Sequence, residues 1–352
     1  MTFPTPTTTP LDDEIVAVEL LARLRAEGGQ NLQFSDQPER VMGGFETQIY
    51  RFCVNAESGD LAGPLILRVF AGNGAAQAQR EAAFQNALAG LGFPVPRVVL
   101  GDDGKKIGGR AYNIMELVPG RSMLADLMSP TANPLQIAKQ LAQYQARLHQ
   151  VPVTPVIRAV EETGMPVDSF SGQRQVDRLG RYMLLGEYEP YAPVNAWMEA
   201  NRPLGGESGV VCHGDFHPGN VMIDETGVTG IIDWPGAAFA DPEYDVAVTL
   251  TLILVVSGSL FPEAKPLLDS FASAFIDEYR VHATSDQGKI EYYEVLKCFD
   301  AVLRGVSPSI LGIAPELLPR DGDAWAHPEA LKAAAARIQE ITGIALPLPD
   351  GG

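Results

Sequence analysis

The sequence predicts an α+β chain in two lobes, and three observations carry that prediction. Residues 11–117 hold short apolar strand-like runs punctuated by Gly and Pro, with one main helix inserted among them. Residues 118–345 carry apolar positions at helical spacing instead. Between two helical stretches of that second part lies VCHGDFHPGNVMIDETGVTGIIDWPGAAFA (211–240), a loop, a tight hairpin and a second loop. The chain has 352 residues, 46% of them hydrophobic, enough for two substantial cores. We therefore expect a flexible tail over residues 1–10, an N-terminal strand-rich lobe over 11–117 and a larger, mainly helical lobe over 118–345.

MTFPTPTTTP, at residues 1–10, is rich in Thr and Pro and carries no basic residue, unlike a signal peptide. Residues 11–26 predict a helix, with Ile15, Val18, Leu21 and Leu24 at helical spacing, acids crowding the start and Gly28-Gly29 closing it. Strands are expected at 32–34, 49–54 and 65–70. Gly72 and Gly74 precede a helix near 76–91, Pro94-Val95-Pro96 leads an extended run into 97–100, and 112–118 is a further strand closed by Pro119-Gly120. Pro134 opens a helix with Ala138, Leu141, Tyr144 and Leu148 on one face. A Pro/Thr linker follows at 152–155. Helices are then expected over 174–201, 246–257, 264–279, 288–304 and 330–342.

Composition narrows the function classes. The net charge is −18, with 10 basic and 14 acidic side chains in residues 1–117 against 16 and 30 in the remainder. Nucleic-acid binding needs basic patches that displace counterions, so this balance argues against it. The acidic second half is compatible with a cationic substrate, and equally with a solvated, soluble surface. The apolar run 246–260 is too short to span a bilayer and reads as a buried helix. Cys53, Cys212 and Cys298 are dispersed and form no C-x-x-C pair, which predicts neither a disulfide framework nor a zinc knuckle and points to a cytoplasmic protein.

The 211–240 stretch carries the chemistry. Asp215, Asn220 and Asp233 offer a carboxylate, an amide five positions on and a second carboxylate past a tight turn, the parts that phosphoryl transfer needs. Asp215 could accept the proton of a substrate hydroxyl; Asn220 and Asp233 could hold magnesium against a nucleotide's phosphates. Each has a plainer reading: Asp215 and Asn220 as turn residues of G-D-x-H-P-G-N, Asp233 as a buried structural acid. His213 and His217 are four apart, but Pro218-Gly219 breaks any helix that would turn them toward one zinc ion.

HGDFHPGN (213–220), IIDW (231–234) and ADPEYDVA (240–247) resemble the aminoglycoside phosphotransferase/choline kinase family, small-molecule kinases of protein-kinase-like bilobal fold. The resemblance covers roughly residues 30–300. It implies an N-terminal antiparallel sheet with one main helix and a helical C-terminal lobe, with Asp215 as catalytic base and Asn220 and Asp233 as magnesium ligands. It makes His213 and Asp245 structural supports of the loop. It aligns Gly43-Gly44 with a phosphate-covering loop, Arg68 with the station of a phosphate-binding lysine, Glu81 with that cation's partner and Met115-Glu116-Leu117 with an adenine-binding hinge. Read without the resemblance, two glycines are a hairpin turn and Glu81 is a solvated helix carboxylate. The implied activity is ATP- and magnesium-dependent transfer of a phosphoryl group to a hydroxyl of a small molecule, with GTP as an alternative donor. The acceptor's seat is expected among 174–201 and 246–304, which hold the acids Glu187, Glu189, Asp277 and Glu278 and the aromatic residues Tyr182, Tyr188, Tyr191, Trp197, Phe261, Phe271 and Phe275, a mixture that suits a bulky, partly apolar acceptor as well as a polycation. Arg68 in place of lysine motivates a second reading, a nucleotide-binding pseudokinase with little turnover.

Overall fold

The computed structural model describes residues 10–41, 47–72, 74–101, 104, 106–164, 189–203, 209–306, 325 and 327–348. They fold as two compact units. The first comprises residues up to Gly120 with Arg158–Gly164 and Met222–Pro235; the second comprises Arg121–Ile157, Met165–Val221 and Gly236–Gly352.

The first unit is built on a five-stranded antiparallel sheet. Its strands are β1 (Phe34–Val41), β2 (Thr47–Val54), β3 (Pro64–Phe70), β4 (Val98–Leu100) and β5 (Tyr112–Glu116), in the order β1-β2-β3-β5-β4. Side chains alternate across a strand, so Leu65, Leu67 and Val69 of β3 share one face while Ile66, Arg68 and Phe70 take the other. The first face joins Tyr50, Phe52, Val54, Tyr112 and Ile114 in one core, closed by Val16, Leu20 and Leu24 of helix α1 (Asp13–Gly28). The second face meets helix α2 (Ala75–Gly90), where Phe70 packs with Ala78 and Asn113 donates its side-chain amide to the Ala78 carbonyl at 2.9 Å. This two-sided cover is what brings Arg68 to the side that carries Glu81.

The helix expected over 11–26 is α1, and of its residues noted at helical spacing Leu24 is buried and Leu21 half-buried. Ile15 and Val18 stand 49% and 70% exposed, and the buried stripe is Val16, Leu20 and Leu24 with Arg23. The helix has apolar residues on two faces, so spacing alone does not choose between them; the polar ties do. Asp13 accepts the Tyr50 hydroxyl at 2.7 Å, Glu19 accepts the Gly108 N–H at 2.6 Å and Arg23 donates to the Tyr112 hydroxyl at 2.5 Å, which turns the 16/20/24 stripe onto the sheet. The strand expected at 32–34 is instead the start of β1, whose residues FSDQPERV are mostly exposed. An edge strand tolerates Pro38 and needs no apolar alternation, and its register against β2 shifts twice.

A hairpin of β8 (Val221–Asp224) and β9 (Gly227–Ile231) also contributes to this unit. Asp224 accepts the Thr226 N–H at 2.7 Å to close the turn. The Ile231 N–H donates to Pro94 at 2.8 Å, and the fully buried Trp234 meets Phe93 edge to face, which anchors the loop holding Asp233.

In the second unit, helix α4 (Pro134–His149) is capped by the Asn133 side chain and buries Ile137, Leu141, Gln145 and Leu148. Strand β7 (Val210–Cys212) pairs antiparallel with β10 (Ala238–Ala240). Next come α7 (Pro242–Thr251), a π-helical turn at Leu252–Ser257, α8 (Lys265–His282), α9 (Gln287–Val306) and α10 (Pro328–Thr342). Helix α4 packs on α8, and α9 packs on both α7 and α10. The run Pro242–Leu260 is long and apolar enough to cross a membrane by length and composition, and most of it is buried. The Pro/Thr linker expected at 152–155 is the first turn of helix α5 (Val153–Glu162). Pro155 fits there because first-turn N–H groups have no partner within the helix. The expected residues Glu187, Tyr182 and Tyr188 lie outside the described residues.

The two faces of α1 make a direct test. Leu20→Ala is expected to cost about 2–5 kcal/mol and Val18→Ala under about 0.5 kcal/mol in urea denaturation. Equal costs would contradict the burial of the 16/20/24 stripe.

Candidate active site

The second unit places Asp215 on the loop that leaves β7. Gly214 starts it with a φ of 78°, and a Cβ there would sit 2.2 Å from the Gly236 carbonyl oxygen, so the turn requires glycine. The loop is tied from below by one turn of α7. Asp245, fully buried, accepts the backbone N–H of His213 at 3.1 Å and of Gly214 at 2.6 Å. Thr249, four residues on, donates its hydroxyl to the Phe216 carbonyl at 2.7 Å and also bonds Gln145. The i,i+4 spacing puts both grips on one helix face.

Asp245 is itself held. His149 Nε2 lies 3.1 Å from its Oδ2, and His149 Nδ1 bonds the Tyr279 hydroxyl at 2.7 Å. Burial pushes the Asp245 carboxyl up, but the bond and charge of His149, with His213 and Gln145, bring it below the usual range. Burial raises the Tyr279 hydroxyl and the Cys212 thiol well above their ordinary values. Donor atoms of His149, Cys212 and Asp245 lie within 4.8 Å of one another. With His149 committed at both nitrogens and the thiol kept protonated, the cluster is a hydrogen-bonded brace.

Within the loop, His213 Nδ1 accepts the Asp215 N–H at 3.2 Å. Asn220 donates its amide to the Asp215 carbonyl at 3.0 Å and to Oδ2 at 3.2 Å, which orients the carboxylate and leaves the Asn220 carbonyl oxygen as an acceptor. His217 accepts the Gly219 N–H through Nδ1, and its Nε2 stands 3.6 Å from Asp215 Oδ2. The Asp215 side chain is 39% exposed. Burial acts to raise its carboxyl, but the close approach and charge of His217, with the charges of His213 and Lys297, outweigh that and hold it down at about 2. It is therefore ionised across the neutral range.

The first unit gathers Arg68, Glu81 and Asp233. Arg68 donates through one terminal nitrogen to Glu81 at 2.7 Å and through the other to Asp233 at 3.0 Å. Gln77 donates to the second Glu81 oxygen at 3.2 Å. Glu81 is fully buried, so it is not the solvated carboxylate that the helix pattern alone allows. Burial raises it to about 7 against the pull of Arg68, and the Asp233 charge adds to the rise. Asp233 sits at a φ of 68°, the left-handed region that few residues other than Gly, Asn and Asp adopt. Its side chain is 43% exposed.

The remaining expectations divide. Gly43 and Gly44 lie outside the described residues. Met115 and Glu116 end β5 and Leu117 follows it, on the strand that pairs with β3, where Asn113 is opposite Arg68. The backbone N–H of Glu116 is donated to Arg97 at 3.1 Å and that of Leu117 to Pro64 at 3.2 Å, so neither is available to a base. Glu278 accepts from Gln143 at 2.7 Å and bonds His282 at 3.0 Å, so it braces α8 against α4. Phe271 and Phe275 are core residues. Thr249 and the His149–Tyr279 pair were not foreseen. Their signal was the position of Thr249 one turn past Asp245 on an apolar helix, where a buried hydroxyl needs a partner.

The phosphotransferase enzyme family model matches residues 39–287. Acyl-CoA dehydrogenase family member 11 of Pongo abelii is 26% identical over 179 residues, 49% of this chain and 22% of that protein, so the chain spans about a fifth of that relative's length. Aminoglycoside 3'-phosphotransferase of Streptomyces ribosidificus is 29% identical over 237 residues, 64% of this chain and 82% of that one. The solved GDP complex of wild-type aminoglycoside 2'-phosphotransferase-IIIa superposes with a TM-score of 0.56 at 19% identity, covering 92% of this chain and 99% of its own. This last likeness shows that the α+β fold is that of the aminoglycoside phosphotransferases.

Two substitutions test the supports. Asp245→Asn leaves one loop N–H without an acceptor and is expected to cost about 2–4 kcal/mol. Because the folded carboxyl lies below its unfolded value of about 3.9, that contribution is complete from about pH 5 to 8 and is lost as pH falls through the folded value. Denaturation of wild type and variant across pH reads both. Arg68→Ala strands a buried carboxylate and is expected to cost about 3–5 kcal/mol. Arg68→Lys should cost less, because an ammonium still pairs Glu81 but lacks the fork that also reaches Asp233.

Proposed function

The chain belongs to the phosphotransferase enzyme family, and on that premise we propose that it moves the γ-phosphoryl group of ATP, or of GTP, to a hydroxyl of a small molecule. The observation that carries this reading is the Asp215–Asn220 pair, an ionised carboxylate held in one orientation by an amide whose oxygen stays available. Asp215 accepts the acceptor's proton. A carboxylate at about 2 is a weak base, so its main work is to hold the hydroxyl in line until the proton leaves late in the transfer. His213 fixes the Asp215 backbone, and Asp245 fixes that of His213 and Gly214.

Asn220 and Asp233 supply oxygen donors suited to a hard divalent cation. Each residue by itself offers a fitting donor: the Asn220 amide nitrogen is committed to Asp215, which leaves its oxygen as an acceptor, and the Asp233 carboxylate is nearly half exposed. Magnesium, when bound, would neutralise charge on the β- and γ-phosphates. Arg68 serves the station of the phosphate-binding cation. It is permanently charged and planar, and its two terminal nitrogens suit paired oxygens. Its bond to Glu81 supports this role, and supports turnover over the pseudokinase reading that its presence motivated. The named relatives include enzymes for aminoglycosides.

Asp215→Asn is expected to lower kcat about 10²–10⁴-fold while leaving magnesium-nucleotide binding intact by calorimetry. Asp233→Asn should remove the magnesium-dependent part of that binding. Nucleotide binding by the wild type with no nucleoside diphosphate release, from any acceptor or from water, would favour the pseudokinase instead.

A further inference from the structure

A cleft of about 250 Å³ opens among four helices of the second unit. Its apolar wall is Leu250 near the end of α7, Leu254 in the π-helical turn, Ile276 of α8 and Ile290 of α9. Glu294, one turn past Ile290, and Arg337 of α10 add a carboxylate and a guanidinium to the lining. Ser273 and Asp269 of α8 stand exposed at the rim. None of the lining residues belongs to the Asp215 loop or to the groups that hold it. The π-helical turn is a signal of its own, because such turns are rare and concentrate where a helix borders a functional site.

The charge at this cleft does not balance. Glu294 is 2% exposed, and its Oε2 accepts from Arg337 at 2.6 Å while its Oε1 accepts no hydrogen bond among the described residues. Arg337 is shared: its other terminal nitrogen donates to Glu340 at 2.7 Å, so one guanidinium serves two carboxylates. Burial raises the Glu294 carboxyl, and the charges of Glu291 and Glu340 add to the rise against the pull of Arg337. Asp269 at the rim is already held by Lys265 through both oxygens, at 2.7 and 2.9 Å. The unmet demand is for a positively charged donor at Glu294. Water can bond Oε1 but leaves the apolar wall wet and the charge uncompensated. An anion finds no vacant fork, because both terminal nitrogens of Arg337 are taken.

We infer that this cleft is a second ligand site and that it takes a small amine, whose ammonium donates to Glu294 Oε1 while its apolar body lies on Leu250, Leu254, Ile276 and Ile290. An apolar cavity of about 150 Å³ holds benzene, so this cleft suits a ligand of about ten non-hydrogen atoms. The site does not depend on the phosphotransfer reading, since it shares no residue with the Asp215 loop. It binds and orients, and no covalent bond is made or broken there.

Three probes of similar size test it: 2-phenylethylamine, 2-phenylethanol and phenylacetate carry an ammonium, a hydroxyl and a carboxylate on the same ring. Calorimetry with the full chain and no nucleotide is expected to show one saturable site for the amine. The amine should bind about tenfold tighter than the alcohol, and the carboxylate should not bind. Glu294→Gln should bring the amine to the affinity of the alcohol. If that variant fails to fold, Ser273→Phe decides, because an exposed rim residue tolerates a ring that fills the mouth of the cleft. It should weaken the amine about tenfold or more while the circular dichroism spectrum stays that of the wild type. No saturable binding of the amine, equal affinity for the three probes, the carboxylate bound best, an amine preference kept in Glu294→Gln, or amine binding unchanged in Ser273→Phe overturns the inference. Because no nucleotide is present, each of these results leaves the proposed phosphotransfer untouched.

Discussion

One buried carboxylate organises the second unit. Asp245 lies in a helix surrounded by apolar side chains, where an uncompensated charge would cost several kcal/mol. It is compensated by two backbone N–H groups and a histidine, and those N–H groups belong to the residues just before Asp215. The requirement that a buried charge be hydrogen-bonded thus becomes a requirement on the loop's shape. Thr249 adds the second grip, and Gly214 provides the backbone conformation that lets both be made at once. The loop that carries Asp215 is thus held from beneath by buried groups.

The first unit solves a similar problem with an arginine. Glu81 is buried in a helix that packs on the sheet, and the buried cation opposite it must satisfy that charge and also reach Asp233. A guanidinium fork does both, with one nitrogen on Glu81 and the other on Asp233. Asp233 is reached because the chain turns there through a left-handed residue, between β9 and the anchored Trp234. The arginine stands at the station where the family pattern has a lysine, and it makes the expected contact with Glu81 along with one to Asp233.

Much of this was legible. Strands with alternating or continuous apolar residues, such as β2, β3 and β5, lie close to their expected bounds, as do α2, α4, α8 and α9, because each has a single apolar face or buried run to read. The illegible elements lack that signal. Strand β1 is an exposed edge that needs no alternation, α5 begins at a proline that reads as a break, and α1 has two competing apolar stripes. For the site, Asp215, Asn220 and Asp233 stand out because polar residues cluster at fixed spacing in a short stretch. Thr249 and Tyr279 do not, since they sit on helices with nothing local to mark them, and His149 reads from the sequence only as a packed helix-end histidine.

The sequence by itself determined the α+β class, the loop that bears Asp215 and Asn220, the carboxylate at Asp233 and the unusual arginine at position 68. These are properties of neighbours along the chain, set by residue type and spacing. The tertiary structure alone decided which face of α1 is buried, that Glu81 is a buried partner of Arg68, and that the Glu116 and Leu117 N–H groups are already committed. Each of these depends on groups far apart in sequence. Burial, electrostatic reach and hydrogen-bond partners are set by distance in space, which spacing along the chain does not encode.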